Sequence, residues 1–402
     1  MKTLLNSIFH WFETRIEPYP SESPKTPAKG TFRFIWSSLE GVRPWIFALA
    51  VFTAGIGIME ALLFQFMGKL VDWLGAYTPQ TLFAEKGWAI FGMAAMMVFA
   101  VFWHFAASNI RLQTLQGVFP MRLRWNFHRL MLNQSLGFYQ DEFAGRVSAK
   151  VMQTALAVRD VVMTVADMVV YVLVYFLTSG LILAALDGWL LVPFALWIVS
   201  FAVMMKTLMP KLGKTAQAQA DARSLMTGRI TDAYSNIATV KLFSHDAREA
   251  KYAKQSMEEF MVTVYAQMRL ATLLHTCSFI INSSLTLSTA ALGIWLWHGG
   301  HVGAGAVATA TAMALRLNGL SQFIMWESAR LFENVGTVSD GMVTLSKPHT
   351  ILDKPNALPL KVERGDIRFE HIDFSYEAGK LLLNGFNLHI KAGEKVGLIG
   401  RS

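Results

Sequence analysis

The chain has 402 residues, 53% of them hydrophobic and 16% charged, with a formal net charge of +8. Soluble domains carry about 25% charged residues, and here the apolar excess sits in blocks of roughly 20 residues, the length that crosses a bilayer core. This excludes a soluble globular enzyme, and the single Cys277 excludes an internal disulfide framework.

Met1 to Phe12 has one lysine and no small-residue cleavage site, so it does not read as a signal peptide. Leu4 to Ile16 is amphipathic, and Pro18 to Pro27 is a Pro/Ser-rich linker. The stretch predicts a helix lying on the inner membrane surface before the first span. Residues 1–43 are assigned to this N-terminal tail.

Six spans are predicted over residues 44–345: Pro44 to Met67, Trp88 to Ala107, Val161 to Leu186, Trp189 to Leu208, Leu270 to Trp297 and Val302 to Trp326. Asp187-Gly188 and His298-Gly299-Gly300-His301 make tight turns without Lys or Arg. The segment between spans two and three carries Arg111, Arg122, Arg124, Arg129, Arg146, Lys150 and Arg159, and the segment between four and five is equally basic. Lys and Arg concentrate on the cytoplasmic side. Both long segments and both termini are therefore expected inside, in a bacterial inner membrane. The positive charge marks topology, not nucleic-acid binding. Each long segment reads as helix, break, helix, with breaks near Ser135 to Tyr139 and Ser235 to Thr239. A 25-residue arm reaches roughly 35 Å beyond the membrane.

Polar residues inside spans are costly and mark a cavity or a partner. Glu60 and Gln65 lie in the first span, Asp167 in the third, Asn282 in the fifth, Arg316 and Asn318 in the sixth. Glu60, Asp167 and Arg316 are the candidate substrate-pocket residues; the competing reading is a structural pair of Arg316 with Asp167 or Glu60. The small-residue run Gly303 to Ala314 predicts close helix packing.

After the sixth span, Lys347-Pro348 and Lys354-Pro355 mark a linker, residues 346–365. From Asp366 the pattern becomes β. A strand runs to Tyr376, a hairpin turns at Gly379, Phe386 to Ile390 is a second strand, and Lys395 to Ile399 a third that ends at Gly400. Glycine there lets backbone N–H groups curl around a phosphate. Gly400-Arg401-Ser402 opens the pattern G-x-x-x-x-G-K-[ST], and Tyr376 stands where an aromatic could stack on adenine.

Taken together, these residues resemble a half-transporter of the ABC exporter class, type IV fold, the group of multidrug exporters and lipid A flippases. The resemblance covers essentially the whole chain. It implies an all-α polytopic membrane domain of six helices with long cytoplasmic arms. The first strands of an α/β P-loop nucleotide-binding domain, residues 366–402, follow it. Phe138-Tyr139 resembles the first coupling helix and Asn236-Ile237-Ala238-Thr239 the second. Phe374-Ser375-Tyr376 looks like the adenine-stacking site. Gly393 to Ser402 looks like the run into Walker A, so Tyr376, Gly400, Arg401 and Ser402 are the nucleotide candidates. The resemblance implies ATP and Mg²⁺ as cofactors, and a homodimer or heterodimer with a second half-transporter. The cargo would be an amphipathic small molecule or lipid crossing the bilayer. The P-loop lysine and the remaining catalytic motifs are expected beyond Ser402, so these 402 residues alone are expected not to hydrolyse ATP. A non-hydrolysing dimerisation or regulatory fragment and an ion channel on the same fold are the alternatives.

Overall fold

The computed structural model describes residues 2–243, 246–354, 357–376 and 379–400. The chain divides into two compact units, Met1–His349 and Thr350–Ser402.

The first unit is helical throughout. An amphipathic α1, Lys2–Glu13, and a short α2, Thr31–Ser38, precede α3, Arg43–Ala76. Helix α4, Pro79–Asn109, begins at a reciprocal cap between Thr78 and Thr81, with Pro79 in the first turn where its missing N–H costs nothing. It runs through a π-helical segment, Ile110–Gly117, into α5, Val118–Leu132. The predicted break at Ser135 is the elbow: Ser135 caps the short α6, Leu136–Asp141. Helix α7, Ala144–Met163, passes through a second π-helical segment, Thr164–Val169, into α8, Val170–Leu186. Asp187 accepts from the N–H of Trp189 at 2.8 Å and turns the chain into α9, Leu191–Ser235. The second elbow is α10, Ile237–Leu242, and α11, Asp246–His298, returns. Gly300, at φ +75°, makes the tight turn into α12, Ala304–Leu345.

Five of these continuous helical runs are long and apolar enough to cross a membrane. The sixth predicted span, α12, has the length but not the composition. Thr309, Thr311, Arg316, Asn318 and Ser321 dilute it, and it buries fourteen residues against its neighbours. A helix enclosed by other helices does not need an apolar surface all round. Helix α4 is the opposite case. Trp88, Phe91, Phe99 and Phe102 are all more than half exposed, an arrangement that water would not tolerate and lipid favours.

Two cores hold the unit together. At the arm end, Phe34, Val42, Phe119, Phe127, Leu130, Val158, Val338 and Leu345 join α2, α5, α7 and the end of α12. Nearer the turn end, Tyr175, Leu183, Trp197, Leu274, Met313 and Leu317 join α8, α9, α11 and α12. The small-residue run of α12 seats it against α3. A Cβ at Gly305 would stand 2.0 Å from the carbonyl of Gly68, and one at Gly68 would stand 1.8 Å from Thr309 Oγ1. The N–H of Gly305 donates to Asp72 Oδ1 at 2.7 Å, so a carboxylate of α3 caps the first turn of α12.

The N-terminal segment is not a loose tail. Arg122, Trp125 and Arg129 on α5 donate to the carbonyls of Glu17, Pro20, Ser21 and Glu22 at 2.7–3.1 Å, and Ile16 is buried.

In the second unit β1, Ile367–Phe374, pairs antiparallel with β2, Leu383–Ile390. The ladder slips between Phe369 and Ile372, where His371 takes φ +48° and its N–H donates to Asn387 Oδ1. The predicted third strand, Lys395 to Ile399, is irregular. A strand exists only as part of a ladder, and no described segment pairs with it.

Candidate functional site

Charged residues of the spans gather along a cavity between α8, α12 and the two π-helical segments. Arg316 lies 12 positions inside α12, about 18 Å from its start, and Glu60 is 16 positions from the end of α3, about 24 Å. Arg316 Nε donates to Glu60, Tyr171 OH donates to the second Glu60 oxygen, and Arg316 Nη2 donates to Tyr171 Oη at 3.1 Å. The three residues, from α3, α8 and α12, close a ring of charge-assisted hydrogen bonds. Such bonds are roughly twice as strong as neutral ones.

Asp167 does not pair with Arg316. It sits on the second π-helical segment and accepts from Arg111 Nη1 at 2.9 Å and from Thr53 Oγ1 at 3.1 Å. Arg111 sits on the first π-helical segment, so an ion pair bridges the two irregularities. A π turn weakens helix geometry and recurs where a helix serves function. Arg111, counted with the basic residues that follow the second predicted span, continues α4 without a break and lines the cavity. No composition signal separates a π turn from an α turn, but an Arg ten residues after the Phe99–Ala100–Val101 block and an in-span Asp were a readable pair of opposite charges.

The row continues toward the arm end. Arg159 holds Asp160 at 2.7 Å and donates to the carbonyl of Gln116; Arg330 holds Glu327 at 3.1 Å, and Thr164 faces the same carboxylate. Arg111, Asp167, Met168, Tyr171, Arg316, Gly319, Leu320 and Phe323 line a cavity of about 320 Å³. It adjoins a smaller polar one reaching Arg159, Asp160, Glu327 and Arg330. On the other side of Glu60 an apolar cavity of about 370 Å³ opens between α3 and α4, walled by Met59, Met96, Met97 and Val101. The Arg316–Glu60–Tyr171 ring is thus shared between the two cavities, with Tyr171 and Arg316 lining the charged one and Glu60 the apolar one. Such a site can hold a molecule with a charged end and a greasy end, because each cavity solvates one of them.

Asn282 and Asn318 belong to a separate network. Asn282 Oδ1 accepts from Trp197 Nε1 at 2.8 Å, and its amide donates to Ser321 Oγ at 2.8 Å and Asn318 Oδ1 at 3.3 Å. It ties α9, α11 and α12 together inside the bundle. Cys277 is half-buried and free.

At the elbows, Phe138 is buried, and Tyr139 OH donates to the carbonyl of Met131 at 2.8 Å. On α10, Ile237, Ala238 and Thr239 are exposed, and Asn236 donates back to the carbonyl of Asp232. In the second unit Tyr376 is 76% exposed just past β1, edge-on to Phe374. Gly400 is exposed in irregular chain, and Arg401 and Ser402 lie outside the described residues.

These features are the fold of an ABC exporter. The ABC transporter transmembrane region matches residues 46–320, and the chain belongs to that family. It is 69% identical over 399 residues to a Haemophilus influenzae protein described as an uncharacterized ABC transporter ATP-binding protein, covering 99% of this chain and 65% of that protein. The ATM1-type heavy metal exporter of Novosphingobium aromaticivorans is 23% identical over 186 residues, 43% of this chain and 29% of that protein. Among solved structures, a bacterial Atm1-family ABC exporter with ATP bound aligns at a TM-score of 0.64 and 15% identity, over 88% of this chain and 62% of that one. The chain thus spans less than two thirds of the Haemophilus protein and of the solved exporter, 65% and 62% of their lengths.

Proposed function

We propose that the chain is the membrane half of an ATP-driven exporter that moves an amphipathic compound or lipid across a bacterial inner membrane by alternating access. The observation that carries this is the charged ring inside an exporter fold, with Arg316 and Tyr171 lining a cavity that also holds the Arg111–Asp167 pair and Glu60 lining an apolar one. The arms and both termini face the cytoplasm, as the Lys/Arg distribution requires. A second half-transporter, identical or not, completes the path.

Glu60, Arg316 and Asp167 bind or gate the cargo. The elbows, with Phe138 and Tyr139 in one and Asn236 to Thr239 in the other, receive the motion of the nucleotide-binding domains. ATP is the energy source. Tyr376 suits adenine stacking because its ring is presented to solvent at the end of a strand, and the chain from Gly400 through Arg401 and Ser402 begins the phosphate loop. Mg²⁺ is expected with the nucleotide. The membrane domain binds and orients cargo; ATP supplies only the drive.

The test is ATP turnover of the full-length protein in lipid nanodiscs, with and without amphipathic candidates. Stimulation by one of them, lost in Arg111→Ala, supports the reading. ATP turnover that no amphiphile or lipid alters, together with nucleotide-gated ion conductance, replaces export with a channel.

A further inference from the structure

We infer that Lys347 and His349 form a clasp that fastens the chain leaving α12 to the first elbow, so that the two move as one body. Helix α12 ends at Leu345, and the next four residues are pinned rather than slack. Lys347 Nζ donates to Glu142 Oε1 at 3.1 Å and lies 5.0 Å from the centre of the Phe138 ring. Its backbone carbonyl accepts from Gln134 Nε2 at 3.0 Å. Two residues on, His349 Nε2 meets the carbonyl of Leu130 at 3.0 Å.

These partners come from every part of the elbow. Leu130 closes α5, Gln134 lies in the bend, Phe138 is in α6, and Glu142 leads into α7. Glu142 is held from its other side by Arg146 at 3.7 Å. The end of α12 is seated in the same place, since Lys150 donates to Asp340 and Thr344 at 3.1 and 3.2 Å. A Cβ on Gly341 would stand 1.8 Å from Thr154 Oγ1.

A chain held by three anchors within three residues, with Pro348 stiffening the middle, cannot absorb a displacement by uncoiling. Motion of the chain beyond His349 is therefore delivered to α6 and to α5 and α7 directly. The second elbow is built differently: α10 buries none of its residues. Lys347 is a positioning residue, acting through Glu142 and Phe138. The inference rests on the exporter reading for its purpose, and on the contacts alone for its mechanics.

The experiment uses the full-length protein with Lys347→Ala, Lys347→Arg and, in a Cys277→Ser background, Glu142→Cys with Lys347→Cys joined by a short bis-maleimide. In hydrogen exchange, Lys347→Ala is expected to raise exchange of the amides of residues 136–142 and Lys347→Arg to leave it near wild type. Cargo-stimulated ATP turnover is expected to fall at least about fivefold in Lys347→Ala, the low end of a coupling between sites, with an unchanged KM for ATP and recovery in Lys347→Arg. The cross-linked pair is expected to keep its stimulation. Unchanged exchange in Lys347→Ala, or stimulation abolished by the cross-link and regained without it, overturns the clasp. If the wild type shows no stimulated turnover, the exporter reading fails while hydrogen exchange still decides the clasp.

Discussion

Removing the guanidinium of Arg316 tests whether its ring with Glu60 and Tyr171 is a structural element. In Arg316→Ala, Glu60 keeps the Tyr171 hydroxyl but loses its cation. Breaking a fully buried ion pair by deleting one partner costs about 3–5 kcal/mol. Here the side chains are 36% and 22% exposed, so the cavity hydrates part of the orphaned charge, and about 2 kcal/mol is the reasonable magnitude. For a helical unit of this size that corresponds to a drop of about 3 °C in the thermal midpoint. The cause is a stranded anion, so removing the anion should relieve it. Arg316→Ala with Glu60→Gln is expected to recover most of the loss, with a coupling of about 1–2 kcal/mol across the double-mutant cycle. The assay is unfolding in detergent, followed by intrinsic tryptophan fluorescence at a fixed heating rate. Additive losses in the double variant would refute the ring as a coupled unit. An unchanged midpoint in Arg316→Ala, with stimulated ATP turnover abolished, would make Arg316 a cargo ligand and not a strut.

Gly305→Ala would drive a methyl into the Gly68 carbonyl, so α3 and α12 separate and the protein loses about 1–3 kcal/mol, seen as reduced yield of folded protein in detergent. Asn282→Ala leaves the Trp197 indole N–H and Ser321 without their partner, at a cost of about 1–3 kcal/mol and with altered Trp197 fluorescence. The Lys347 ammonium, hydrogen-bonded to Glu142, holds that carboxyl below its ordinary 4.5. The stabilisation is therefore present above about pH 4.5 and lost as pH falls through the lowered value, and proteolysis at the first elbow should rise over that fall in wild type but be raised at every pH in Glu142→Gln. Single cysteines at Gly299 and Gly213, in a Cys277→Ser background, should label from outside and inside respectively; the reverse pattern would invert the topology.

Membrane class, the tight turns and both elbows were legible in the sequence because each follows from local chemistry. Apolar length is dictated by bilayer thickness. The tight turns announce themselves through Asp187-Gly188 and Gly299-Gly300, and the elbows through Ser135 and Asn236. That Arg316 needed a partner was equally readable, because desolvating a guanidinium is costly whatever the fold. Which carboxylate it takes was not. Glu60 and Asp167 are both acids at comparable depth, and only the packing of α3 on α12, set by Gly68 and Gly305, brings Glu60 within reach. Arg111 reads as one more basic residue after a span until two π-helical segments turn it onto Asp167, and a one-residue change in helical register leaves no mark on composition. The third strand shows the same limit from the other side. Lys395 to Ile399 has the residues of a strand, but strand formation is a property of a pair, and pairing is decided by neighbours in space rather than in sequence.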